Sequence, residues 1–314
     1  MNAQKLFSKK WIVFATAVLC TLLWGSAFPC VKLGYDWLHI ENTGSQILFA
    51  GYRFFLAGIL TFLAGCVMER RFLTMKKSSI PYVMRQGLLQ TTIQYVFFYI
   101  GMANITGTKG SVINASNAFI SIIAAHFMVK GSESDRMTWK KAAACVIGFA
   151  GVIVINLEPG AWGEGFSLQG EGMMMICALS YGLSTVVMKL ISHRESAVTI
   201  TAYQLLFGGF LLIAAGLVSG GRIGSFDGKS VLLLLYMAFI SSAAFTLWGM
   251  LLKYNPVGKV AVFGFSIPVF GVFLSALILG EQAFTMKNLM ALILVCGGII
   301  LVNGTKSAES GDNK

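Results

Sequence analysis

Apolar runs recur along the whole chain, at about 11–34, 45–67, 81–102, 109–130, 139–157, 168–191, 198–219, 231–251, 257–280 and 287–304. A helix of roughly 20 residues reaches across the hydrocarbon core of a bilayer. Inside lipid every backbone N–H and C=O must be paired within the chain, which leaves helices or closed barrels. Barrel strands would be shorter and would alternate in polarity. The expected fold class is therefore an all-α polytopic membrane protein with ten transmembrane helices. Charge content agrees, because only 12% of the 314 residues are charged, about half of what a soluble domain carries. The gaps between runs are short and hold no low-complexity linker, so no separate extramembrane domain is expected. Lys5, Lys9 and Lys10 ahead of the first run resemble a signal peptide, but the apolar stretch continues to Leu33. An uncleaved first span is the expectation.

The net charge of +11 raises the question of nucleic acid. A nucleic-acid reader clusters its basic residues on one exposed face, whereas here they sit in the gaps between apolar runs. With the N-terminus inside, 18 lysines and arginines fall on the cytoplasmic side and 5 on the other. This bias predicts a multi-pass protein of the cytoplasmic (inner) membrane with both termini cytoplasmic. Outer loops carrying Asp36, Glu41, Glu158 and Glu164 fit that orientation. Cys20, Cys30, Cys66, Cys145, Cys177 and Cys296 lie within apolar runs without a CxxC pair, and read as packing residues. No metal site and no cofactor is expected.

Trp24-Gly25-Ser26-Ala27-Phe28-Pro29-Cys30-Val31-Lys32 returns in blurred form as Tyr181-Gly182-Leu183-Ser184-Thr185-Val186-Val187-Met188-Lys189. Tyr52-Arg53…Gly58 parallels Tyr203-Gln204…Gly209, and Gly101-Met102 parallels Gly249-Met250. Lys109 through Asn156 parallels Lys259 through Asn303, with a three-residue excess near 132–135. Matches in the same order point to an internal duplication. The expected units are residues 1–158 and 159–314, each with five spans. An odd number of spans turns the second unit upside down, and inverted halves can exchange conformations by alternating access.

Together, Trp24-Gly25-Ser26, Tyr52-Arg53-Phe54-Phe55-Leu56-Ala57-Gly58 and Pro268…Leu279-Gly280-Glu281 resemble the EamA-type drug/metabolite transporter superfamily over nearly the whole chain. The resemblance implies ten helices, a central cavity between the halves, and transport of small organic metabolites, often amino-acid-like and frequently exported. The chain departs from a symmetric pattern where Ala118 and Gly131 stand opposite Pro268 and Glu281.

Pro29 and Pro268 are the two prolines inside spans, and each leaves the carbonyl four residues back without its helix donor. Those residues are Gly25 and Gly264, so Gly25–Pro29 and Gly264–Pro268 are hinge candidates, with a packed kink as the alternative. Arg53 is the one fixed charge deep in a span. Leaving it in lipid costs at least roughly 3 kcal/mol, so it faces the bundle interior, either to hold a substrate carboxylate or to pin helix carbonyls. Gln90 and Gln94, and Asn114, Asn117 and Ser121, form lines at helical spacing that suit a cavity wall or interhelical bonding. Trp24, Tyr181, Tyr203, Phe245 and Trp248 can supply an aromatic wall, and Ser26 joins the substrate-binding candidates. Glu171 and Glu281 are expected near water at span ends, His126 as a satisfied polar residue, and Gly148, Gly151, Gly297 and Gly298 at tight helix contacts.

All thirteen acids fall in loops or at span ends, so no mid-span carboxylate offers a proton relay. The resulting expectation is a carrier for a small amino-acid-like or amphiphilic metabolite, an exporter working as a uniporter or exchanger. A nucleotide-sugar or sugar-phosphate exchanger is the alternative, although phosphates demand several buried cations. An intramembrane enzyme lacks a paired acid, a metal cluster or a nucleophile–base set, and a channel makes poorer use of inverted halves. The expected partners are the small-molecule substrate and the lipid bilayer, with a homodimer left open and nucleic acid excluded.

Overall fold

The computed structural model describes residues 3–129, 136–156, 166–224, 226–281 and 285–303. Ten helical rods follow a short helix at Ala3–Phe7. They are α1 (Lys10–Trp37), α2 (Thr43–Glu69), α3 (80–104), α4 (Gly107–Met128), α5 (Trp139–Asn156), α6 (Leu168–Ile191), α7 (Ala197–Val218), α8 (Gly228–Tyr254), α9 (Val257–Leu279) and α10 (Met286–Asn303). Among the described residues seven of them, α1, α2, α4, α6, α7, α8 and α9, are long and apolar enough to cross a membrane. Sequence expectations at Lys130, Gly131, 132–135, Glu158, Glu164, Lys306 and Lys314, and at the side chains of Lys5 and Cys296, lie outside the described residues.

The rods start where a short polar side chain can satisfy an orphan donor. Asn42, Thr106, Ser167, Ser196 and Asp227 each accept from the backbone N–H three residues on, opening α2, α4, α6, α7 and α8. Interruptions fall inside three rods and at the start of a fourth. A π-helical segment at Leu88–Ile93 interrupts α3, and another at Leu168–Gly172 opens α6. α4 is broken at Ala115, and α9 passes through a 3-10 segment at Val262–Phe265.

Glycine governs the closest helix contact. Gly44, Gly51, Gly58 and Gly65 recur every seven residues along α2. A Cβ on Gly44 would lie 2.6 Å from the Ser219 carbonyl oxygen, on Gly51 2.6 Å from the Ile213 nitrogen, and on Gly58 2.6 Å from the Leu206 nitrogen. As numbers rise along α2 they fall along α7, so the two helices run antiparallel with backbones nearly touching. Such spacing needs residues without a side chain at the crossing. Gly298 makes a looser version of this contact in the α5–α10 pair, where its Cβ would meet the Ala144 carbonyl oxygen at 2.9 Å.

Around these two pairs, α1 packs on α8 and α9, while α6 packs on α3 and α4; α2 also touches α8 and α7 touches α3. Renumbering each helix by five converts one set of neighbours into the other. Trp24, Phe54, Tyr95, Tyr99, Tyr181, Phe245 and Trp248 belong to one buried cluster at the centre.

Candidate functional site

At that centre lies a cavity of about 30 Å³, room for roughly two waters. Trp24 and Phe28 of α1, Arg53 of α2, Gln94, Tyr95 and Phe98 of α3, and Asn114 of α4 form one side; Tyr181 of α6 and Ile267 of α9 form the other. Helix periodicity explains the grouping, because Trp24 and Phe28, and Gln94 and Phe98, are four residues apart on one face.

Arg53 is completely buried. Its Nε donates to the Met237 carbonyl at 3.3 Å and to Ser241 Oγ at 3.0 Å, and its Nη1 donates to the Tyr99 hydroxyl at 3.3 Å. The rings of Phe54 and Tyr95 face the guanidinium at 4.8 and 5.8 Å. Its Nη2 has no partner. Three other cavity-lining atoms, Trp24 Nε1, Gln94 Oε1 and the Tyr181 hydroxyl, are buried without a hydrogen bond as well. Buried polar groups are almost always paired, so these four atoms are available to whatever occupies the cavity. The Trp24 ring sits edge-on to Tyr181, Phe245 and Trp248, with centroids 5.8, 5.3 and 5.1 Å away. Trp248 is behind Trp24, and its Nε1 is also unpaired.

Other residues singled out from sequence have partners away from the cavity. Ser26 bonds the Leu23 carbonyl at 2.8 Å and the Tyr236 hydroxyl at 2.9 Å. Gln90 lies in the π-helical segment and accepts from Gln86 at 2.7 Å, and Gln86 also bonds the Ser184 carbonyl. Asn117 donates to the Asn114 carbonyl and Ser121 to the Asn117 carbonyl, so this line bonds its own helix. Tyr203 donates to the Leu73 carbonyl at 2.8 Å, near the end of the bundle. The two hinge candidates also differ. α1 runs unbroken through Pro29, and a Cβ on Gly25 would lie 2.6 Å from that of Phe270, so Gly25–Pro29 is a packed crossing. Gly264 sits in the 3-10 break ahead of Pro268 with ordinary clearance. The corresponding break in α4 forms at Ala115 without a proline.

Polar clusters tie the bundle together at both ends. At the end holding the α3–α4 turn, Gly280 at φ +67° reverses the chain and aims Glu281 at the start of α4. Its Oε1 accepts from the Gly107 N–H at 2.9 Å; its Oε2 accepts from the Thr108 N–H at 2.9 Å and the Thr108 hydroxyl at 2.7 Å. Beside it Lys109 pairs with Glu171. Glu171 is not at water, as expected from its position, but buried: Lys109 and the Ser167 N–H at 2.8 Å satisfy its carboxylate. Lys32, Asp36 and Glu281 line a crevice of about 490 Å³ at this end. At the other end Lys189 Nζ donates to the Asn255 carbonyl at 2.8 Å, and Asn255 Nδ2 donates to the Phe7 carbonyl at 2.9 Å. Lys32 and Lys189, equivalent in the duplicated sequence, thus sit at opposite ends.

Sequence reasoning missed Tyr95, Phe98, Tyr99 and Ser241. Tyr95 follows Gln94 directly and Phe98 shares its face, so the α3 line was the available signal; nothing in the sequence pointed to Ser241.

The model of the EamA-like transporter family matches residues 9–157 and again 168–304. An uncharacterized transporter of Archaeoglobus fulgidus is 26% identical over 94% of this chain and 98% of its own length. A protein of Escherichia coli named a probable amino-acid metabolite efflux pump is 23% identical over 92% of this chain and 94% of its own. A solved crystal structure superimposes with a TM-score of 0.72 at 15% identity, over 95% of this chain and 99% of that one, and so shares the fold. With its family model matched twice in succession, the chain is a multi-pass membrane transporter, not an enzyme, and belongs to the EamA-like transporter family.

Proposed function

We propose that the chain is an alternating-access carrier that exports a small amino-acid-like or amphiphilic metabolite across the cytoplasmic membrane. Its two halves, residues 1–158 and 159–314, are inverted five-helix units, and both termini are cytoplasmic. The observation that carries this reading is the small central cavity, lined from both halves and ringed by unpaired polar atoms. The antiparallel α2–α7 pair supports inversion, since these helices hold equivalent residues of the repeat. Space for only about two waters suits a carrier rather than a continuous pore. Trp24, Arg53, Gln94, Asn114, Tyr181 and Trp248 are assigned to the substrate, and the α4 and α9 breaks to the moving parts.

Metabolite efflux, the role named for the Escherichia coli relative, is extended here to this chain. A sugar-phosphate exchanger fits less well, because among the described residues Arg53 is the one cation lining the cavity and phosphates call for several. Glu171 is the only buried carboxylate among the described residues. It pairs with Lys109 outside the cavity, so transport is assigned to uniport or exchange without a carboxylate relay. Purified protein in liposomes should release a preloaded amino-acid-like or amphiphilic metabolite with saturable kinetics and no requirement for a pH gradient. Accumulation that tracks an imposed pH gradient would refute the coupling assignment, and unsaturable flux would refute the carrier.

A further inference from the structure

Arg53 is a buried charge with no counter-charge. Among the described residues the ion pairs join Arg71 to Glu69 and Lys109 to Glu171, and every group bonded to Arg53 is neutral. A guanidinium in a low-dielectric interior is strongly attracted to a mobile anion. The geometry leaves a place for one: Nη2 is unpaired, and Trp24 Nε1 and the Tyr181 hydroxyl are further unpaired donors on the same cavity. Three donors around space for about two waters match the two oxygens of a carboxylate. Phe28, Tyr95, Phe98 and Trp24 line the same space; as it stands the space holds the carboxylate alone, and an apolar or aromatic body would enter between these rings as they part. An ammonium group finds one unpaired neutral acceptor there, Gln94 Oε1, and no anionic partner among the described lining residues. The cavity lining contains no acid, and the faces of Phe54 and Tyr95 already point at Arg53.

We infer that the site takes monovalent organic anions, an aromatic or apolar body with one carboxylate, in preference to zwitterions and amines. This rests on the carrier reading above and adds a driving force. A uniporter carrying one negative charge works down an inside-negative membrane potential, which favours export about 50-fold for each 100 mV. Neither a proton relay nor a second substrate is then needed.

Three probes with the same ring test the inference: phenylpyruvate as the anion, phenylalanine as the zwitterion and phenethylamine as the cation. In detergent, phenylpyruvate should raise the melting temperature of the wild-type protein while the other two leave it unchanged. Arg53→Gln should lose that response and Arg53→Lys should weaken it; the wild-type comparison decides charge preference even if a variant folds poorly. In proteoliposomes, phenylpyruvate release beyond that of empty vesicles should follow a valinomycin-imposed potassium diffusion potential. Equal stabilisation by phenylalanine or phenethylamine, no stabilisation by phenylpyruvate, or phenylpyruvate flux indifferent to potential would each overturn the inference. Saturable phenylalanine transport indifferent to potential would overturn it while leaving the carrier reading intact.

Discussion

Replacing Glu281 by glutamine tests whether its contact with the first turn of α4 acts as a latch between α9 and α4 at this end of the bundle. The carboxylate accepts two backbone N–H bonds and one hydroxyl bond, at 2.9, 2.9 and 2.7 Å, from the first turn of α4. Glutamine keeps one accepting oxygen but turns an NH₂ group toward the other backbone N–H. The loss is one bond to a charged group, about 1.5–3 kcal/mol, together with the attraction of the helix N-terminus for negative charge. Glu281 is half-exposed, and water offsets part of that loss, so about 2 kcal/mol is the working figure. If opening at this end breaks the contact, the open population rises about 30-fold. Cys30 reports it, being buried on α1 between Phe28 at the cavity and Lys32 at the crevice. In a protein whose other cysteines are replaced, a membrane-impermeant maleimide should label Cys30 about 30-fold faster in Glu281→Gln than with Glu281 intact. Unchanged labelling, with the variant folded, would refute the latch.

Gly58→Ala should destabilise the protein by about 1–3 kcal/mol in SDS-titrated unfolding, because its Cβ would strike the α7 backbone. Gly228→Ala, with open space around it, should change nothing measurable. Lys109→Met should cost about 3 kcal/mol by leaving Glu171 buried and unpaired, and adding Glu171→Met should recover much of that in the same assay. Tyr203→Phe should transport at the wild-type rate, since its hydroxyl serves Leu73, whereas Gln94→Leu at the cavity should lower the rate at least tenfold in proteoliposomes, about 1.4 kcal/mol.

Hydrophobic run length made the ten helices legible, because lipid offers backbone groups no alternative partner. The duplication was legible too, since matching segments recur in order along the chain. Arg53 could be placed in the interior from charge alone, and Trp24, Gln94, Asn114 and Tyr181, named from sequence, line the same cavity as it. Ser26, Gln90, Asn117 and Tyr203 bond partners outside that cavity, because residue type and spacing do not distinguish a cavity wall from bonds between or within helices. The α2 glycines, seven apart, carried a signal that was not used.

What the sequence by itself determined was therefore the solvent, the number of helices, the doubling and the need for a sheltered arginine. Those follow from transfer free energies of single residues and from local periodicity. Only the tertiary structure decided which helices touch, that Glu171 is buried against Lys109, that Glu281 closes over α4, and that Arg53 keeps one donor free. Each depends on groups distant in sequence meeting across crossings that glycine allows to close, and no local pattern encodes that meeting.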